Sequence, residues 1–140
     1  MLNIFNKLKP FFEDVYREIS VREYARILEI SPPSASKTLK NIENEKLLIL
    51  SKRGVYFYFR ANRESFLFKG LYLLYWQSIL KESLKDLHQE ASFRKIILFG
   101  SILKMENTKD SDIDLYIDIE KKRLDTTDIE KKLKRKIQLH

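Results

Sequence analysis

The stretch from Lys95 to Ile119, KIILFGSILKMENTKDSDIDLYIDI, decides how the C-terminal part of the chain folds. Lys95 to Phe99 is mostly apolar and rich in β-branched residues, which predicts a buried strand. Gly100 follows, where the lack of a Cβ permits a sharp turn. Ser101 is expected at the N-terminus of a short helix, where free backbone amides form a phosphate site. The stretch therefore predicts a strand, a tight turn, a short helical segment and a second strand.

The second strand, Asp112 to Ile119, carries two acidic residues in an alternating apolar pattern. Side chains at positions i and i+2 of a strand point to the same face, roughly 7 Å apart. We therefore expect Asp112 and Asp114 to share one face. Such a pair beside a phosphate-binding turn suits divalent metal ions about 3.5–4 Å apart, and Mg²⁺ is expected because it prefers oxygen ligands and nucleotide phosphates. Two ordinary carboxylates at a strand edge are the alternative.

The order Gly100-Ser101, ten further residues and then Asp112-x-Asp114 resembles the signature of the polymerase-beta-type nucleotidyltransferases. Within that superfamily it is most similar to the minimal nucleotidyltransferases, from about Arg94 onward. The resemblance implies that Gly100, Ser101 and Lys104 bind the triphosphate of ATP or another nucleoside triphosphate (NTP), and that Asp112 and Asp114 are catalytic ligands of Mg²⁺. The implied reaction, of the EC 2.7.7 type, transfers a nucleoside monophosphate to an acceptor hydroxyl. Because these proteins often accompany HEPN-domain toxins, a HEPN-type toxin is an expected partner.

The sequence departs from this family in two places. The family has an Ala-Arg-Gly run shortly after the Gly-Ser, where this chain has Leu103-Lys104-Met105. The family also carries a third carboxylate on a following strand, which we expect to begin at about His140. Either that strand and its acid are missing from this sequence, or the domain is catalytically incomplete.

A final helix is predicted from Asp128 to about Ile137, with Thr127 as its N-cap. The basic run Lys131 to Lys136 is interpreted as the solvated face of this helix. The residues from Ile137 to His140 are expected to begin a third strand and to place His140 close to the metal site.

Three helices and a hairpin are predicted in the N-terminal part of the chain. The predicted helices are Asn6–Ile19, Val21–Ile30 and Pro32–Lys46, and the predicted strands are Leu47–Leu50 and Val55–Arg60, joined by the basic turn Ser51–Gly54. Ser20 with Glu23 forms a capping box, and Ser31 precedes a proline at the first helical position.

This pattern resembles a winged helix-turn-helix. The resemblance implies that the third helix enters a DNA major groove and that the hairpin contacts the DNA backbone. The implied DNA-binding residues are Ser34, Ser36, Lys37, Lys40, Lys52 and Arg53. A dimerisation or protein-docking module is the alternative.

A long helix is predicted from Ser65 to about Gln89, and its first half is apolar nearly all round. Such a helix must be covered on several sides. It is either a connector between two domains or a homodimer interface through residues 66–87.

Composition limits which classes of protein the chain can belong to. The chain has 140 residues, a formal net charge of +7 and no cysteine, which favours polyanionic partners and excludes disulfides. Its longest apolar stretch is too short to span a bilayer, and its first residues do not form a secretory signal. We expect a cytoplasmic α+β protein without a membrane partner, comprising a winged helix (1–64), a connecting helix (65–91) and a minimal nucleotidyltransferase-like domain (92–140).

Two functions remain open from the sequence. The first is a metal-dependent nucleotidyltransferase with an appended DNA-binding winged helix. The second is a DNA-binding regulator or antitoxin whose inactive transferase domain binds a nucleotide or a partner. The third carboxylate distinguishes the two.

Overall fold

The computed structural model describes residues 2–85, 95–118 and 125–140. By its internal contacts the chain divides into unit 1, Met1–Tyr72, and unit 2, Leu73–His140. The elements of unit 1 are α1 (Leu2–Glu13), β1 (Ile19–Ser20), α2 (Val21–Leu28), α3 (Pro32–Asn44), β2 (Leu48–Arg53) and β3 (Tyr56–Ala61); α4 (Phe66–Ser83) contains the point of division. The elements of unit 2 are β4 (Lys95–Phe99), α5 (Gly100–Leu103), β5 (Ile113–Asp118), α6 (Thr127–Leu133) and β6 (Ile137–Leu139).

Serine caps begin α2 and α3, as predicted. The Ser20 hydroxyl accepts a hydrogen bond from the Glu23 amide, and the Ser31 hydroxyl accepts one from the Ser34 amide. Each cap satisfies an amide that the first helical turn would leave without a partner.

The apolar faces of these helices form the core of unit 1 with α1 and the sheet; fully buried members are Leu8, Phe11, Phe12, Tyr24, Ala35 and Leu39. The Tyr24 hydroxyl donates a hydrogen bond to the Lys7 carbonyl, and burial raises the pKa of Tyr24 above its ordinary value.

The first helix differs from its prediction of Asn6–Ile19. It ends at Glu13, because Asp14 forms a turn: its carboxylate accepts a hydrogen bond from the Tyr16 amide, and its carbonyl accepts one from the Arg17 amide. Ile19 then joins a sheet of order β1-β3-β2, in which it pairs antiparallel with Phe59.

The hairpin also differs from its prediction. Arg53 pairs with Tyr56, so the turn is the two residues Gly54 and Val55 rather than Ser51–Gly54. Gly54 has φ +61°, which a two-residue hairpin turn requires. Lys52 and Arg53 are therefore strand residues at the tip of the hairpin.

The sheet of unit 2 has the order β4-β5-β6, with β4 antiparallel and β6 parallel to β5. Ile113, Leu115 and Ile117 are buried, as the alternating pattern predicts. Strand β4 has the predicted limits Lys95 and Phe99, and the predicted end of the second strand at Ile119 lies outside the described residues.

The last helix ends earlier than predicted. Lys134 adopts a left-handed conformation with φ +54° and ends α6 at Leu133, which leaves Ile137 free to join the sheet. At its start, Asp125 accepts hydrogen bonds from the side chain and the amide of Thr127, and these bonds lower the pKa of Asp125.

Helix α4 begins where predicted, since the Ser65 hydroxyl accepts a hydrogen bond from the Phe68 amide. The helix ends at Ser83, earlier than its predicted end at about Gln89, because Leu84 forms a turn. Within the described parts of the chain, no helix is both long and apolar enough to cross a bilayer.

Candidate functional site

The turn after β4 lies against the first acidic residue of β5. Gly100 has φ +75°, and a Cβ built on it would lie 2.1 Å from Oδ2 of Asp114. Antiparallel pairing of Phe99 with Asp114 produces this approach. Gly100 is therefore required twice: side chains are strained at this φ, and the Asp114 carboxylate fills the space that a side chain would need.

Asp112 is held by the neighbouring parallel strand. It lies one residue before β5 begins, rather than within the strand as predicted. Its Oδ2 accepts a hydrogen bond of 2.7 Å from Nε2 of Gln138 in β6. Since Gln138 pairs with Asp114 in the parallel register, one residue of β6 lies beside both acids.

His140 lies beside Asp114, as predicted. Its Nε2 is 3.7 Å from Oδ1 of Asp114, and its ring packs edge-on against Phe99 with a centroid distance of 4.9 Å. The Asp114 side chain thus has the Gly100 backbone on one side and an imidazole ring on another.

The other predicted nucleotide-binding residues belong to α5, which is a single turn. Ser101 is its second residue and is half-buried, while Lys104 follows its last residue and is exposed. A single turn offers free amides at its start but little of a helix dipole. Met105, which stands where the family has glycine, is buried and adopts φ +57°. The loop therefore has a left-handed residue at this position, although the residue is not glycine.

Arg135 was not recognised from the sequence, which placed it on a solvated basic face. That interpretation was wrong for this residue, whose exposed fraction is only 9%. Its Nη1 donates hydrogen bonds of 2.8 Å to the carbonyls of Thr108 and Ser111, just before Asp112. The one available signal was an arginine within a lysine-rich run, because a planar guanidinium suits buried positions better than an ammonium group does.

The donor atoms of the acidic pair are of the type that a divalent cation binds. Two half-buried carboxylates, Asp112 and Asp114, offer oxygen ligands, and nucleotide phosphates commonly complete such a shell. No group of three or more His, Cys, Asp or Glu residues that could hold a metal occurs within residues 2–85, 95–118 and 125–140. The expectation that the residues from Ile137 to His140 begin a third strand is confirmed, since β6 (Ile137–Leu139) pairs with β5. The residue of β6 that lies beside the acidic pair is Gln138, whose side chain is a neutral amide.

The predicted DNA-binding residues all lie in unit 1. On α3, Ser34, Lys37 and Lys40 are exposed and Ser36 is half-buried, whereas Ala35, Leu39 and Ile42 face the core. The Ser34 hydroxyl accepts a hydrogen bond from the Ser31 hydroxyl and is thus part of the helix cap.

At the tip of the hairpin, Nζ of Lys52 lies 5.5 Å from the centre of the Phe57 ring. Arg53 forms an ion pair of 2.7 Å with Glu18. The two cations on the hairpin therefore differ, since only Arg53 has an acidic partner among these contacts.

Comparison with known families finds a match within unit 2. Residues 82–140 match the family described as Polymerase beta, Nucleotidyltransferase. This segment is similar to polymerase-beta-type nucleotidyltransferases. It contains β4, β5, β6 and the acidic pair, so the resemblance seen in the sequence is supported for this part of the chain. No curated protein and no solved structure showed significant similarity to the chain.

We predict that replacing Gly100 with alanine destabilises unit 2 by about 3 kcal/mol, from backbone strain and the collision with Asp114. Gly54→Ala is the matched control, because Gly54 has φ +61° but a Cβ there meets no atom within 4 Å. Gly54→Ala should lower the free energy of unfolding only by the backbone strain of about 1 kcal/mol. Urea denaturation of both variants measures the difference, and equal losses would show that the contact with Asp114 contributes nothing.

Proposed function

We propose that unit 2 binds a nucleoside triphosphate with a divalent metal ion and transfers a nucleoside monophosphate to an acceptor hydroxyl. The observation that carries this proposal is the approach of the Gly100 turn to Asp114, with Asp112 held two residues before it. A bend with free amides beside two carboxylates can bind phosphate oxygens and a cation at one place. The family match over residues 82–140 supports the same chemistry.

In this proposal each group has a limited task. The amides at Gly100 and Ser101 hold phosphate oxygens, Lys104 adds positive charge, and Asp112 and Asp114 hold Mg²⁺. Bound Mg²⁺ would neutralise charge on the phosphates. The acceptor oxygen forms a bond to the α-phosphorus, the bond from that phosphorus to the bridging oxygen breaks, and pyrophosphate leaves while the hydroxyl proton is released.

A second candidate is a unit that binds the nucleotide without transferring it, and Gln138 favours this alternative. An amide is uncharged, so it neither replaces the metal-binding charge of a third carboxylate nor accepts a proton as a general base. Its N–H also occupies one Asp112 oxygen that a cation would use. On this reading the protein is a DNA-binding regulator or antitoxin with a nucleotide-responsive unit.

For unit 1, we infer a DNA-binding winged helix-turn-helix. The order α1-β1-α2-α3-β2-β3 and the sheet order β1-β3-β2 support this inference. Exposed Lys37 and Lys40 on α3 and exposed Lys52 and Arg53 at the tip of the hairpin offer positive charge to phosphates. The HEPN-type toxin partner and the homodimer through residues 66–87 stay predictions from the sequence.

We predict that Asp112→Asn with Asp114→Asn weakens Mg²⁺-dependent ATP binding at least about tenfold and abolishes any transfer, because both cation ligands lose their charge. Asp110→Asn is the control, since Asp110 is exposed in the same loop and outside the pair. Isothermal titration measures binding, and ATP labelled at the α-phosphate measures transfer. Equal binding by wild type and the double variant would refute the proposed site.

Gln138→Glu should increase the rate at which an acceptor is labelled from α-phosphate-labelled ATP at least about tenfold. The reason is that it adds a carboxylate beside Asp112 and Asp114, which can act as a general base. Gln138→Ala is its control, since it releases Asp112 without adding charge. Wild-type labelling decides between the two candidates: binding without labelling supports the second, and wild-type labelling as fast as that of Gln138→Glu rules it out.

Lys37→Ala with Lys40→Ala should weaken DNA binding and reduce the slope of log K against log salt concentration by about two, since each phosphate contact contributes about 0.9. Lys131→Ala with Lys132→Ala removes the same charge from exposed positions of α6 and should leave the slope unchanged. Mobility shifts at several salt concentrations measure both slopes. A loss in affinity without a change in slope would exclude phosphate contact by Lys37 and Lys40.

A further inference from the structure

Asp112 lies at the end of a loop without regular secondary structure. The loop connects α5 to β5, and its local contacts are short-range: the Thr108 amide donates to the Ser111 hydroxyl, and the Asp110 amide donates to the Thr108 hydroxyl. These hydrogen bonds shape the turn from Thr108 to Ser111, which follows the fully buried Asn107. The turn is also contacted from another part of unit 2.

Arg135 contacts this turn from the segment just before β6. Its Nη1 donates to the carbonyls of Thr108 and Ser111, at 2.8 Å in both cases. Its guanidinium carbon lies 5.2 Å from the centre of the Trp76 ring, in helix α4. One side chain thereby joins the loop before Asp112 to an aromatic ring of the same unit.

The direction of Arg135 follows from the end of α6. The left-handed residue Lys134 ends the helix, and the Arg135 amide donates to the Glu130 carbonyl. Lys132, Lys134 and Lys136 are exposed, whereas Arg135 is buried. A buried cation is costly unless polar groups or an aromatic face compensate it, and here two carbonyls and the Trp76 ring do so.

The residues that follow Arg135 hold the other side of Asp112. The Lys136 carbonyl accepts a hydrogen bond of 2.8 Å from the Ile113 backbone amide, and the side-chain Nε2 of Gln138 donates to the Asp112 carboxylate. The segment from Arg135 to Gln138 therefore contacts the residues before, at and after Asp112.

We propose that Arg135 is a positioning residue that fixes the loop from Thr108 to Ser111 and thereby the place of Asp112. The consequence for cation and nucleotide binding rests on the proposed function, whereas the fixing of the loop does not. A lysine at this position keeps the charge but has no planar guanidinium that lies over the Trp76 ring while one of its nitrogens donates to both carbonyls.

The test uses the full chain and Arg135→Lys, with Lys132→Ala as control. The first measurement is trypsin cleavage after Lys109, which is exposed within the loop, quantified by mass spectrometry. Cleavage after Lys104, which directly follows α5 and lies outside the turn from Thr108 to Ser111, is the internal reference. We expect the ratio of cleavage at Lys109 to cleavage at Lys104 to rise at least fivefold in Arg135→Lys and to stay unchanged in Lys132→Ala, following the population of the open loop.

The second measurement is binding of Mn²⁺–ATP, at a temperature where circular dichroism shows each variant fully folded. We expect affinity to fall at least about tenfold in Arg135→Lys, which a residue that only stabilises the fold would not cause under those conditions. If Arg135→Lys does not fold, Trp76→Phe takes its place: it weakens the ring contact and should increase cleavage at Lys109 to a smaller extent.

The outcomes separate the two proposals. An unchanged cleavage ratio in a folded Arg135→Lys overturns the positioning role. Increased cleavage with unchanged Mn²⁺–ATP affinity shows that the loop is fixed but that Asp112 is not positioned through it, which also overturns the proposal. Wild type that binds no Mn²⁺–ATP refutes the proposed function, and the cleavage ratio alone then decides whether Arg135 fixes the loop.

Discussion

The approach of the Asp114 carboxylate to the backbone of Gly100 is the constraint on which the site in unit 2 depends. The antiparallel register of β4 and β5 produces it by pairing Phe99 with Asp114. A shift of one residue would turn Asp114 to the opposite face and expose the buried Ile113 and Leu115. Hydrophobic burial on one face of the sheet thus places an acid on the other face, next to the turn.

The two acids are held by different means. Asp114 lies within a strand, and its position follows from the register. Asp112 lies before the strand, so its position depends on hydrogen bonds from the segment that contains Arg135 and Gln138. A strand residue moves only with its sheet, whereas a loop residue keeps its place only while its anchors hold. Asp112 is therefore the more sensitive of the two acids to substitutions elsewhere in the unit.

Unit 1 is built in a different way, from local signals that agree with one another. Serine caps begin α2 and α3, and buried apolar residues follow at helical spacing. Basic residues then occupy the positions that face solvent. Such agreement between capping, periodicity and burial is typical of sequences that specify one structure.

The amino-acid sequence determined the elements whose signals are local. The caps at Ser20 and Ser31, the alternating apolar residues of β5 and the glycine turn after β4 were all evident from it. The ends of elements were less predictable, because α1 and α6 end where a turn at Asp14 and a left-handed Lys134 interrupt an apolar pattern that continues into strands. Periodicity alone cannot show this, since the backbone partners that convert Ile19 and Ile137 into strand residues lie far away in the sequence.

The sequence predicted His140 beside the acidic pair, whereas tertiary structure alone decided the contacts of Arg135 and Gln138. Lys131 to Lys136 read as one solvated run, yet Arg135 turns inward to two carbonyls, and Gln138 reaches Asp112 from the parallel strand. Both contacts join residues more than twenty positions apart, so no local pattern encodes them; they follow from the way β6 packs beside β5.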